Sequence, residues 1–120
     1  MSGNDRKQGP PNLGRYERLV ATIPGVERKG VTLPYTSLNG HMFSFLAEDG
    51  TVVLRLAADD RSAFMERYGA GLHHAHGSVM REYVSIPDAL ADDTTSLAPW
   101  FERSRAYVAG LKPKARGGAG

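Results

Sequence analysis

The sequence predicts a two-layer α+β domain in which one antiparallel sheet carries its helices on one face. Three observations predict it. The stretch Leu33–Leu56 holds two turn dipeptides, Asn39-Gly40 and Asp49-Gly50, between strand-like runs. Asn and Asp tolerate positive φ and Gly adopts it freely, so each pair suits the primed turn of a hairpin. Apolar residues recur at helical spacing before that stretch and again after it, giving the order helix, strands, helix, strand, helix.

The elements follow in turn. Leu13, Tyr16, Leu19, Val20 and Ile23 form one face of a first helix, which Pro24-Gly25 ends. Arg28–Leu33 reads as a short strand interrupted by Gly30. In the meander, a tight turn at Asn39-Gly40 pairs Leu38 with His41, Thr36 with Phe43 and Tyr35 with Ser44. A second tight turn at Asp49-Gly50 pairs Ala47 with Val52, Phe45 with Leu54 and Phe43 with Leu56. Opposed residues share a face, so Leu38, Phe43, Phe45, Ala47, Val52, Leu54 and Leu56 fall on the covered side. The other side then holds Leu33, Tyr35, Ser37, Met42, Ser44, Leu46, Val53 and Arg55.

Asp59 or Asp60 is placed to cap a helix running to Tyr68, with Phe64, Met65 and Tyr68 inward and Gly69 at its end. Residues 69–78 read as a Gly- and His-rich loop, and Val79–Ile86 as a strand closed by Pro87-Asp88. Thr94, Thr95 or Ser96 caps a long last helix with the stripe Leu97, Trp100, Phe101, Ser104, Tyr107, Val108 and Leu111. Pro99 falls in its first turn, where a missing N–H costs least. Ser104 on that stripe either admits the sheet closely or bonds back to the carbonyl four residues earlier.

With 120 residues the chain holds one domain and one core. Cysteine is absent, which excludes disulfides, thiolate metal sites and cysteine nucleophiles. Residues 1–12 and 112–120 are polar and rich in Gly, Pro and basic side chains, and read as disordered tails around a domain at 13–111. The first tail contributes a net +1 and the second +3, so 13–111 stands at −2 within a chain of +2. The basic surplus lies in the tails, and nucleic-acid binding by the folded core is not expected. No apolar run follows the charges of the amino terminus and none reaches membrane-spanning length, so a soluble cytoplasmic protein is expected.

The run Asn39-Gly40-His41-Met42-Phe43 resembles the signature of the TfoX amino-terminal domain family. Asp49-Gly50, the aliphatic strand to Leu56, the Arg61–Tyr68 helix, Tyr83-Val84 leading to Pro87, and the Trp100–Leu111 helix fit that family in order. The resemblance covers roughly residues 15–112. It implies an antiparallel sheet with helices on one side, related to YjbR-like and secretion-chaperone-like folds. It also implies a stand-alone, single-domain member. The namesake is a two-domain regulator of natural competence that promotes transcription alongside a cyclic-AMP receptor protein, and its activity is not carried over. The family supplies no catalytic residues to transfer.

Leu72-His73-His74-Ala75-His76 sets three imidazoles within four residues, enough to offer ligands to zinc or nickel. No Asp or Glu lies in the same loop and adjacent His73 and His74 splay apart, so His73, His74 and His76 are weak candidates and no cofactor is expected. Tyr35, Ser44 and Arg55 form a cross-strand row able to hold a carboxylate or phosphate; ordinary cross-strand contacts explain the same residues. Serines and histidines lack a nucleophile elbow, and Asp59-Asp60 and Asp92-Asp93 each precede a helix, where acids serve the helix start. An enzyme is not expected.

The expectation is therefore a non-enzymatic interaction domain, self-associating as a homodimer or meeting a protein partner through Leu33, Met42, Leu46 and Val53. The alternative is a transcription-associated or small-ligand-binding regulatory module.

Overall fold

The computed structural model describes residues 11–114. The proposed tails at 1–12 and 112–120 fall largely outside this range. Within it the elements are α1 (Leu13–Val20), β1 (Tyr35–Leu38), β2 (His41–Leu46), β3 (Val52–Arg55), α2 (Ala58–Tyr68), β4 (Leu72–Ala75), β5 (Ser78–Ser85) and α3 (Thr94–Ala109). The five strands form one open antiparallel sheet in the order β1-β2-β3-β5-β4. Tyr16 of α1, Phe64 of α2 and Phe101 of α3 meet Phe43, Leu46, Leu54, Leu56 and Val84 in one core. The α+β class and the helices on one face thus stand as the sequence predicts.

The strand expected at Arg28–Leu33 shrinks to a bridge between Lys29 and Tyr35. The last partner of the sheet comes from the segment read as a His-rich loop. There His76 and Gly77, at φ 54° and 80°, make a primed turn joining β4 to β5. Histidine is among the non-glycine residues that accept this conformation, so the pair turns the chain as Asn39-Gly40 does.

Two local insertions shift the predicted register. In β1–β2, Leu38 faces His41 and Ser37 faces Met42, but Thr36 then faces Ser44 and Tyr35 faces Phe45. Phe43 is the extra residue of a bulge, so Phe43 and Ser44 both enter the core. The β2–β3 connection is a three-residue loop, Glu48-Asp49-Gly50, not the expected two-residue turn. Ala47 N–H donates to the Thr51 carbonyl at 2.8 Å, and Gly50 sits at φ 92°. Leu46 consequently faces Val52, Phe45 faces Val53 and Ser44 faces Leu54. From Ser44 onward β2 is turned over relative to the predicted pairing: Leu46 is core, while Phe45 and Ala47 stand on the face without helices.

Ser104 admits the sheet closely, as expected, and does not bond back to the carbonyl four residues earlier. Its hydroxyl donates to the carbonyl of Phe43, the bulged residue, at 2.7 Å, fixing α3 on β2. The Phe43 and Phe101 rings meet beside it at 5.5 Å. Asp93, rather than a Thr or Ser, caps α3 by accepting from Ser96 N–H at 3.1 Å, and α2 begins after Ala57 with Asp59 and Asp60 in its first turn. Asp92 turns away to the guanidinium of Arg15 at 2.9 Å.

Candidate functional site

The sheet face opposite the helices carries a small aromatic cluster. Three strand steps separate β2 from β4, about 14 Å on a flat sheet. Even so, the Phe45 and His73 rings meet edge to face with centroids 5.4 Å apart. Tyr83 closes on Phe45 from β5 at 5.8 Å. Val53 lies between Phe45 and Ser85 in the register, beneath these rings, and is fully buried.

The sheet twist that brings these strands together leaves a cleft of about 320 Å³ at one end of the face. Phe45, Ala47 and Leu33 make its apolar wall, and β4 supplies His73 and Ala75. Glu48 and Asp49 enter from the β2–β3 loop. Asp49 is fixed there because its carboxylate accepts the Thr51 N–H at 3.0 Å. Hydrogen bonds from the Thr51 side chain and then its backbone hold the Asp49 carboxyl below the usual carboxylate range, with the His73 charge assisting. A shallower cavity of about 490 Å³ shares Asp49 and His73 and runs past Ser85 to Pro87.

His73 is the most constrained group here. The residue is only 8% exposed, and its Nδ1 shares a 2.9 Å hydrogen bond with Ser85 Oγ. Burial pushes its pKa down, Asp49 opposes that shift, and His74 adds to it. For a histidine held low in the native state, stability is complete above the unfolded value near 6.5. It declines as pH falls below that value, because the unfolded chain takes up the proton first. The thermal midpoint of the wild-type chain is therefore expected to fall between pH 7.5 and 5.5. His73→Phe should flatten that slope, and equal slopes by circular dichroism would refute the assignment.

The other sequence candidates are dispersed. Tyr35 lies on the side away from the helices and Arg55 takes that side by register, although its guanidinium reaches round to Tyr107 of α3; Ser44 is on the helix side, sealed in the core with Tyr16 and Thr36. Its hydroxyl is 2.7 Å from the Tyr16 hydroxyl and 2.5 Å from that of Thr36. Burial drives the Tyr16 pKa up to about 12, against the hydrogen bonds of Ser44 and Thr36. Arg55 is held by Glu82, with Nε 2.7 Å from Oε1, and lies over the rings of Tyr83 and Tyr107. Burial opposes the Glu82 charge, but hydrogen bonds from Arg55 and Tyr107 outweigh it and hold its pKa low. Tyr35, Ser44 and Arg55 thus form no row, because the Phe43 bulge turned Ser44 inward.

The expected interface also divides. Leu33 is 49% exposed and Met42 is half-buried, whereas Leu46 and Val53 are both 0% exposed, one under the helices and one under the aromatic cluster. Among the described residues no three His, Asp or Glu side chains converge as a metal centre would require, so His73, His74 and His76 are cleft-lining groups. The sequence reading missed Phe45, Glu48 and Asp49. The one signal for them was the Ala47–Thr51 spacing, which also accommodates a three-residue loop.

Among the described residues no helix is long and apolar enough to cross a membrane. Neither a curated protein nor a solved structure matches the chain. A family model, the TfoX N-terminal domain, matches residues 25–107, from the turn after α1 through all five strands and α2 to the last turns of α3. The bulged first hairpin and the cleft between β2 and β4 both lie inside that match, and the chain belongs to the TfoX N-terminal domain family.

Proposed function

We propose that the domain is a non-enzymatic binding module that receives a small ligand in the cleft on the sheet face opposite its helices. The observation that carries this reading is the cleft itself: about 320 Å³, with Phe45 on one wall and a nearly buried histidine on the other. Ligand sites are of this kind, apolar concavities with a few fixed polar groups. The TfoX family membership supports a regulatory role but names no ligand, since fold does not determine function.

The test is a titration of the ¹⁵N-labelled chain with a library of small neutral and charged fragments. Amide shifts are expected to gather on Phe45, Ala47, His73 and Ala75. Ala75→Trp, which fills the cleft from the edge strand, should erase them. Shifts scattered elsewhere, or none, would overturn the reading.

Self-association is the second reading, and Val31 and Leu33 favour it. They are 80% and 49% exposed, and Leu33 stands at the lip of the cleft. A second copy of the chain would cover them. Sedimentation velocity over a hundredfold concentration range decides it, a constant monomer coefficient arguing against.

A further inference from the structure

We propose that the cleft selects a compact organic cation, a primary ammonium attached to an apolar or aromatic body. This rests on the ligand-binding reading above and adds the chemical class. The lining contains the two carboxylates of Glu48 and Asp49 and neither a lysine nor an arginine. No ion pair occupies either carboxylate among the described residues. The Asp49 group is anchored by the loop that presents it and stays ionised through the neutral range.

The second observation is His73. The residue is 8% exposed and lines the cleft, and its Nδ1 shares a hydrogen bond with Ser85 Oγ. In the tautomer whose Nδ1–H donates to Ser85 Oγ, the neutral Nε2 is an acceptor for a hydrogen bond that an ammonium group donates. The Phe45 ring, in edge-to-face contact with His73, lines the cleft as an aromatic surface for a ligand body or a cation. An anion would meet the field of two carboxylates, with only the imidazoles of His73, His74 and His76 in the lining to offset it. A bare metal ion lacks three converging ligands among the described residues. An ammonium with an apolar tail answers both the two carboxylates and the Phe45 ring.

The experiment titrates the full chain with three probes of one shape: phenethylammonium, phenethyl alcohol and phenylacetate, read by ¹⁵N amide shifts. Phenethylammonium is expected to shift Phe45, Asp49 and His73 and to bind about five-fold or more tighter than the alcohol, roughly 1 kcal/mol. Phenylacetate should bind weakest. Asp49→Asn keeps the acceptor for Thr51 N–H, and should lower the ammonium affinity to that of the alcohol while leaving the alcohol unchanged. Equal affinities for ammonium and alcohol, or tighter phenylacetate, would overturn the cation class and leave the cleft reading standing. No cleft shift with any probe would overturn both.

Discussion

Leu46→Asp is expected to leave the chain without a cooperative unfolding transition, whereas Leu33→Asp should fold with stability within about 0.5 kcal/mol of wild type. The sequence pattern alone places both residues on one exposed sheet face. In the structure Leu46 is fully buried in the cluster shared by all three helices, and Leu33 is 49% exposed. Removing a buried Leu costs about 2–5 kcal/mol by itself. A carboxylate left there without a partner adds several more through lost hydration. Together these reach the whole stability of a domain this size, about 5–15 kcal/mol. Near-ultraviolet circular dichroism and the dispersion of methyl resonances read the result. A well-folded Leu46→Asp variant would return Leu46 to the open face and refute the bulged register.

Val53→Asp distinguishes the two cores. Val53 is as buried as Leu46, but its cover is the thinner layer of Phe45, Tyr83 and His73. Sheet faces read as half-solvated are often sealed in this way, by aromatic side chains leaning across their neighbours. The alternation of residues shows which face a position takes, but not whether rings two or three strands away close over it.

The fold was legible where one rule dominates locally. The stripe of α3, the Asn39-Gly40 turn and the aliphatic run of β3 each carry a strong short-range signal, and each stands as read. The site was not legible, because it depends on two single-residue insertions. A bulge at Phe43 and a third loop residue at Glu48 leave composition and periodicity nearly unchanged, yet together they turn Phe45 outward and Ser44 and Leu46 inward. Nothing in Met42-Phe43-Ser44-Phe45 marks the bulge. Its causes are tertiary: Ser104 on the Phe43 carbonyl and Tyr16 on the Ser44 hydroxyl, partners 61 and 28 residues away. The β4–β5 hairpin was missed for a different reason. His76-Gly77 is a rarer turn pair than Asn-Gly, and the two histidines of the strand before it read as polar loop.

Asn39→Asp is expected to destabilise the domain by about 2–3 kcal/mol, although Asp suits the hairpin turn almost as well as Asn. Asn39 has a second task, served by its side chain. Its Nδ2 donates to the carbonyls of Val108 at 3.2 Å and Ala109 at 3.1 Å, acceptors at the carboxyl end of α3, of which Val108 also takes the Leu111 N–H at 3.1 Å. The turn of β1–β2 therefore caps the last helix, and the Lys114 N–H returns to the Asn39 carbonyl at 2.9 Å. Aspartate removes both side-chain donations and sets a negative charge against the negative end of the helix dipole. Asn39→Gly separates the two tasks: it keeps the φ of 59° that the turn requires and loses only the cap. It should cost less, about 1–2 kcal/mol. Urea unfolding at pH 7 measures the difference. The Asp penalty, unlike the Gly one, should shrink as pH falls below about 4, where the protonated carboxyl donates again. Equal costs for Asp and Gly, with no pH dependence between them, would mean that the turn alone matters and that α3 is held by its packing.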